Sequence, residues 1–277
     1  MDRKLLALYS LKYNPFVSDV PTEALFATPE IEQFVWRIEQ QLKEGGFAFV
    51  NGEPGTGKSV VLRILRSKLG TLRDTSVGIL TRPQATLTDF YREMGEIYGV
   101  AMRPHNRWSS TKVLREKWIQ HIDQALSRPV LLIDEAQEMK AQIFCELRIL
   151  SSADLDARSN LTVVMAGDGR MAERLGGIDL LPIASRIRAR LQTDAASTED
   201  LRQCLRHLLQ EAGNPNLMSS SVEVALTEHA CGNYRLMMNM ANDLLNLAVR
   251  REARQIDDKL YFEAFSPTPK SNRGNKK

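Results

Sequence analysis

Two groups of residues in this chain have the types and spacing to handle a polyphosphate. The first is the run Asn51-Gly52-Glu53-Pro54-Gly55-Thr56-Gly57-Lys58-Ser59, which satisfies G-x-x-x-x-G-K-[ST]. Gly52, Glu53, Pro54, Gly55, Thr56 and Gly57 form a loop whose backbone N–H groups can close around phosphate oxygens. A helix starting at Lys58 adds a favourable dipole. Lys58 can reach the β and γ phosphates, and the Ser59 hydroxyl can ligate magnesium. The second group is Val130-Leu131-Leu132-Ile133-Asp134-Glu135. Four apolar residues of a strand covered on both faces end in two carboxylates at the C-terminal edge of a sheet, where ligands bind in open α/β folds. Asp134 can hold magnesium beside Ser59, directly or through water. Glu135 can polarise an attacking water, so the implied chemistry is phosphoryl transfer.

Both groups need elements to hold them. Short apolar runs at 47–50, 77–80, 130–133 and 161–166 read as strands, and 190–193 supplies a fifth. Helical patterns fall between them at 58–69, 87–98, 111–126 and 141–151. Before them, Thr28-Pro29-Glu30 opens a helix to about residue 44, with Ile31, Phe34, Val35, Ile38 and Leu42 on one face, and Gly45-Gly46 ends it. From Ser197 the strand signals stop, and helices are expected at 197–212, 221–230, 234–251 and 257–265. Residues 1–30, broken by Pro15 and Pro21, read as irregular. The pattern predicts an extended N-terminal segment packed on the core (1–30) and an α/β domain (31–195) with a five-stranded parallel sheet flanked by helices. A small all-helical lid (196–265) and a disordered basic tail (266–277) complete it.

Composition describes an ordinary globular chain: 277 residues, 43% hydrophobic, 26% charged, net charge +3. No apolar run has the length of a membrane span and the N-terminus leads into no signal-peptide core, so a cytoplasmic protein without membrane partners is expected. Cys145, Cys204 and Cys231 form no CxxC pair or even framework and fit a reduced compartment, packed in helices. The four histidines show no metal-ligand spacing, and no serine sits in a nucleophile elbow. Segment 103–112, Arg-Pro-His-Asn-Arg-Trp-Ser-Ser-Thr-Lys, reads as a polar basic loop. Arg103, Arg107, Trp108 and Lys112 there are candidate contacts to the backbone of duplex DNA, or else simply solvated.

The order of lysine loop, Asp-Glu strand, further strand ending in a polar residue, arginine-rich segment and helical lid resembles an AAA+ ATPase. Within that superfamily the chain resembles the ExeA-like ATPases and the transposition helpers of the IstB and Mu B type. The ExeA-like likeness rests on Tyr9-Ser10-Leu11-Lys12-Tyr13-Asn14-Pro15-Phe16, Glu146-Leu147-Arg148-Ile149-Leu150-Ser151 and Gly232-Asn233-Tyr234-Arg235-Leu236-Met237-Met238-Asn239. The resemblance implies ATP and Mg2+ as cofactors. It places Asp168 at the sensor-1 position (or as a turn residue) and Arg235 at sensor 2, both toward the nucleotide. It makes Arg186, then Arg188, the candidate arginine fingers serving a neighbour's γ-phosphate. It further implies a homo-oligomer, ring or filament, that coats duplex DNA and recruits a transposase or integrase. A secretion-associated ATPase acting on protein partners in envelope assembly is the alternative; the absence of a following membrane span or peptidoglycan-binding region favours the first.

Overall fold

The computed structural model describes residues 2–102, 106–125, 128–153 and 158–266. They form two compact units: an α/β unit over 27–194, and a helical unit made from the residues before 27 and after 194.

In the α/β unit, β1 (Gly46–Gly52), β2 (Thr75–Leu80), β3 (Arg128–Ile133), β6 (Thr162–Gly167) and β7 (Ile187–Thr193) form one sheet. The two-residue strands β4 (Ser152–Ala153) and β5 (Arg158–Ser159) make a separate ribbon. Sheet order is β2-β3-β6-β1-β7, with every pairing parallel. Parallel neighbours need crossovers, which explains why β3 and β6 are apolar throughout and buried on both faces. Edge strand β7 instead alternates buried and exposed positions. It starts at Ile187, earlier than the expected 190, because Phe47 N donates to Arg186 O at 3.3 Å and extends the pairing toward the start of β1.

The crossover helices are α3 (Lys58–Gly70), α4 (Leu87–Tyr98), α5 (Arg107–Ala125), α6 (Ala141–Ser151), α7 (Gly169–Gly176) and α8 (Leu181–Ala184), preceded by α2 (Pro29–Gln41). Successive strand residues face opposite sides. Phe47, Phe49, Leu131, Ile133, Val163 and Met165 share one cluster with apolar residues of α4 through α8. Their alternates face α2 and α3. On α4, Phe90, Tyr91 and Met94 are fully buried, each contributing roughly 1.5–3 kcal/mol by removal from water.

Three features differ from the sequence expectation. Helix α5 begins at Arg107 rather than near Thr111, because Asn106 Oδ1 accepts from Ser109 N at 3.0 Å and caps the first turn. Arg107, Trp108 and Lys112 are therefore helical, not in a loop, while Arg103 lies outside the described residues. Helix α7 occupies a stretch to which the sequence pattern assigned no element, its N-terminus capped by Asp168.

The third difference concerns the N-terminus. Asp2–Tyr9 is helix α1, and the segment belongs to the helical unit rather than lying extended on the α/β core. The helical unit also holds α9 (Thr198–Ala212), α10 (Ser220–His229), α11 (Tyr234–Arg251) and α12 (Asp258–Phe265). Leu5, Tyr9, Leu11, Phe16 and Val20 share one core with Leu205, Leu209, Leu244 and Leu245. Polar contacts fix the register: Lys12 N donates to Ala212 O at 2.8 Å, Asn14 Nδ2 to Asn242 Oδ1 at 2.9 Å, and Tyr9 Oη to Ala253 O at 2.9 Å. A capping box of Ser197 and Asp200 starts α9, where the sequence pattern places a helix over 197–212. Phe16 is core filler. Of the three thiols, Cys204 is buried, whereas Cys145 and Cys231 are exposed. Of the basic tail only Ser266 is described; the rest lies outside the described residues.

Candidate functional site

The C-terminal ends of β1, β3 and β6 bring the two sequence groups together. β1 delivers Gly52 into the loop, and Gly57 (φ +102°) caps α3 in a left-handed conformation that suits glycine. Gly55 is also left-handed, at φ +89°. Gly52 has a different reason: a Cβ there would stand 2.0 Å from Thr193 Oγ1 and 2.4 Å from Thr193 O. The loop is braced from inside, since Thr56 Oγ1 donates to Glu53 O at 2.8 Å. It is braced from β7 as well, where the Thr56 and Thr193 hydroxyls lie 2.8 Å apart. Lys58 is 7% exposed, its ammonium donating to Gly52 O at 2.7 Å and Glu53 O at 3.0 Å. A buried cation held, among the described residues, by two loop carbonyls at the start of a 13-residue helix suits an anion seated in the loop.

Ser59, at the second position of α3, donates its hydroxyl to Asp134 Oδ2 at 2.7 Å. The two side chains named for magnesium therefore converge. A hard cation that keeps several waters and takes phosphate oxygens as further ligands needs no more from the protein, so this donor pair fits the ion. Among the described residues, no group of three or more His, Cys, Asp or Glu side chains is placed to hold a metal alone.

Glu135 follows in a left-handed conformation, φ +51°, uncommon for a residue with a Cβ and costing about 1–3 kcal/mol. Asp134 Oδ1 accepts from Glu135 N at 2.9 Å, and the buried Gln137 donates its amide to Glu135 Oε2. Gln137 Oε1 in turn accepts from Asp168 N at 3.4 Å. Asp168 sits at the end of β6, accepting from Arg170 N at 3.0 Å and Arg170 Nε at 2.9 Å. The Arg170 hydrogen bond holds its carboxyl below the usual carboxylate range. Charge near phosphate is thereby partly balanced, and the same residue serves as turn and helix cap. Arg174, stacked over Phe144, donates to Gln137 O at 2.7 Å and Met139 O at 2.9 Å, tying the acid-bearing loop to α7.

Residues 40–175 match the AAA domain family. The chain is 30% identical over 209 residues to General secretion pathway protein A of Aeromonas hydrophila, covering 74% of this chain but only 37% of that protein. Among solved structures it is similar to Cdc6p of Pyrobaculum aerophilum (TM-score 0.71, 16% identity, 87% of this chain, 67% of the other). It is also similar to the Aeropyrum pernix ORC1 protein in complex with DNA (TM-score 0.63, 18% identity, 90% of this chain, 67% of the other). The fold is that of the AAA+ P-loop ATPases.

Within this AAA+ fold, Arg186 and Arg188 lie at the N-terminal edge of the sheet, opposite the phosphate loop. Arg188 and Thr193 are five residues apart on β7, roughly 17 Å at 3.3 Å per residue. Arg188 is ion-paired with Glu44, and Arg186 Nη1 donates to Pro182 O at 2.5 Å. Neither is placed to serve the loop of its own subunit. Arg235 belongs to the helical unit, exposed in the first turn of α11, which Asn233 caps. On α5, the Arg107 guanidinium pairs with the buried carboxylate of Glu146 on α6, which also accepts from Tyr91 Oη. Lys112 lies 3.7 Å from Glu116 and over the ring of Trp108, itself 74% exposed. Reading the sequence missed Thr193, Gln137, Arg170 and Arg174. Gln137 carried a usable signal, a polar residue two positions after Glu135 in a segment too short to be a surface helix.

Proposed function

We propose that this chain binds Mg·ATP and hydrolyses it, the phosphates lying in the loop 52–59 and the metal between Ser59 and Asp134. The observation that carries the reading is the 2.7 Å hydrogen bond joining the loop serine to the strand aspartate, which brings two separately recognised motifs to one point. Lys58 would leave its carbonyl partners for the β and γ oxygens. Magnesium there supplies charge neutralisation on the phosphates. Glu135 polarises the water, while Asp168 and Arg235 respond to the γ-phosphate. Arg186 and Arg188, facing away from their own loop, act in this reading on a neighbouring subunit's nucleotide, so the active form is an oligomer. To do so Arg188 must release Glu44 and Arg186 the Pro182 carbonyl.

Two partner readings follow. Likeness to General secretion pathway protein A favours protein partners in a secretion process, although the chain spans about 37% of that protein. Duplex DNA is favoured by the likeness to a DNA-bound ORC1 structure; a transposase or integrase recruited to it rests on the sequence resemblance alone. Against DNA at α5 stands the commitment of Arg107 to Glu146. Among the described residues, no helix is long and apolar enough to cross a membrane.

The test is phosphate release and sedimentation of the wild type, Lys58→Ala and Glu135→Gln with Mg·ATP, with and without duplex DNA. Lys58→Ala should lose nucleotide binding, and Glu135→Gln should form long-lived ATP-bound oligomers. A wild-type chain that binds no nucleotide would sink the reading. Oligomers indifferent to DNA would leave the protein-partner reading alone.

A further inference from the structure

Gln137 is 9% exposed, and its side-chain amide is held at both ends. Nε2 donates to Glu135 Oε2 and Oε1 accepts from Asp168 N. A carboxylate can only accept and a backbone N–H can only donate, so the amide has one orientation that satisfies both. Space for it is made by Gly167, where a Cβ would stand 3.1 Å from Gln137 Oε1 and 2.8 Å from Met171 Cβ. Its backbone is fixed too, since Arg174 donates to Gln137 O at 2.7 Å. One residue further, Glu138 pairs with Arg170 at 3.2 Å, and Arg170 also holds Asp168 at 2.8 Å. A glutamine that merely filled a polar gap would need none of this. Here each end meets a different strand exit: the acid following β3 and the residue following β6.

We propose that Gln137 is a positioning residue for ATP hydrolysis. Its amide N–H keeps the Glu135 carboxylate aimed, and its carbonyl registers that carboxylate against the end of β6. The left-handed backbone of Glu135 leaves the carboxylate dependent on this one neighbour, because no other side-chain donor to it is found among the described residues. The proposal rests on the reading of Glu135 as the group that polarises water.

The test uses the full chain with Gln137→Met, similar in volume without donor or acceptor, and Gln137→Glu, which keeps the acceptor for Asp168 N but turns an anion toward Glu135. Glu135→Gln is the reference. Turnover and the ATP dissociation constant are measured for each variant, and Gln137→Met is also combined with Glu135→Gln. Losing a hydrogen bond to a charged group should lower kcat of Gln137→Met by roughly 10- to 100-fold. ATP affinity should stay within about twofold. Because the amide acts through Glu135, adding Gln137→Met to Glu135→Gln should lower kcat by less than about twofold further. A role confined to packing would lower activity alike in both backgrounds. Wild-type turnover in both variants, or an undiminished loss in the Glu135→Gln background, overturns the proposal. If the methionine variant does not fold, the glutamate variant carries the test. Wild-type turnover in Glu135→Gln would instead remove the underlying reading of Glu135.

Discussion

Replacing Arg107 by alanine separates two accounts of this residue. As a DNA contact its loss would weaken DNA binding and leave stability alone. The structure predicts the reverse. The Glu146 side chain is 2% exposed, and its partners are the Arg107 guanidinium and the Tyr91 hydroxyl, which itself lies 2.6 Å from Thr111 Oγ1. Removing Arg107 leaves a buried carboxylate with one neutral donor. A hydrogen bond to a charged group contributes about 1.5–3 kcal/mol. The Arg107 side chain is 56% exposed, so water replaces part of it and about 2 kcal/mol remains. For a chain of this size that lowers the melting temperature by roughly 4–8 °C. The assay is thermal unfolding beside anisotropy of labelled duplex DNA. Adding Glu146→Gln to Arg107→Ala should recover about half the loss, because the neutral amide needs no counter-charge. Melting of Arg107→Ala within about 1 °C of wild type, with DNA affinity reduced, would refute the reasoning.

Two further outcomes are expected. Gly52→Ala drives a methyl into Thr193 and Thr56, so the loop must move; ATP affinity should fall by at least about tenfold in calorimetry, while far-ultraviolet dichroism is unchanged. Burial pushes the hydroxyls of Tyr91 and Tyr98 above the ordinary tyrosine range and the Cys204 thiol up to about 12. Each group is neutral when folded and loses its proton sooner when unfolded. Their contribution is therefore complete below about pH 9 and is lost as pH rises beyond it, by up to about 1.4 kcal/mol per unit for each group. Urea midpoints measured between about pH 8 and pH 11 should fall accordingly, and Tyr98→Phe should flatten the slope.

The phosphate loop and the acidic strand end were legible because each is a local run whose spacing encodes its geometry. Four of the five sheet strands were legible as apolar runs between helical patterns, whereas the alternating edge strand β7 was legible only from residue 190 onward. What escaped was whatever depends on distant partners. Helix α1 is a short stretch that buries Leu5 and Tyr9, with Leu6 packed beside them, and the core it joins is supplied by α9 and α11, far along the chain. Helix α7 runs only from Gly169 to Gly176, glycine at both ends, and shows no helical signal until the capping oxygen of Asp168 is recognised. The basic character of 103–112 was read as availability, yet a buried glutamate on another helix claims Arg107. Charge in a sequence shows supply; only the fold shows what each charge faces.

Strand β1 pairs with β6 on one side and β7 on the other, although both follow it by most of the length of the α/β unit. During synthesis the lysine-bearing turn emerges early, yet its strand has no neighbour until residues 162–167 appear, and one flank stays bare until 187–193 follow. Such distant closures come before any pairing energy is returned, and they slow the search. Affinity for nucleotide thus arrives late and all at once. A chain stopped short of residue 187 would carry both signature runs intact while presenting an open central strand, a template for misassembly rather than for turnover.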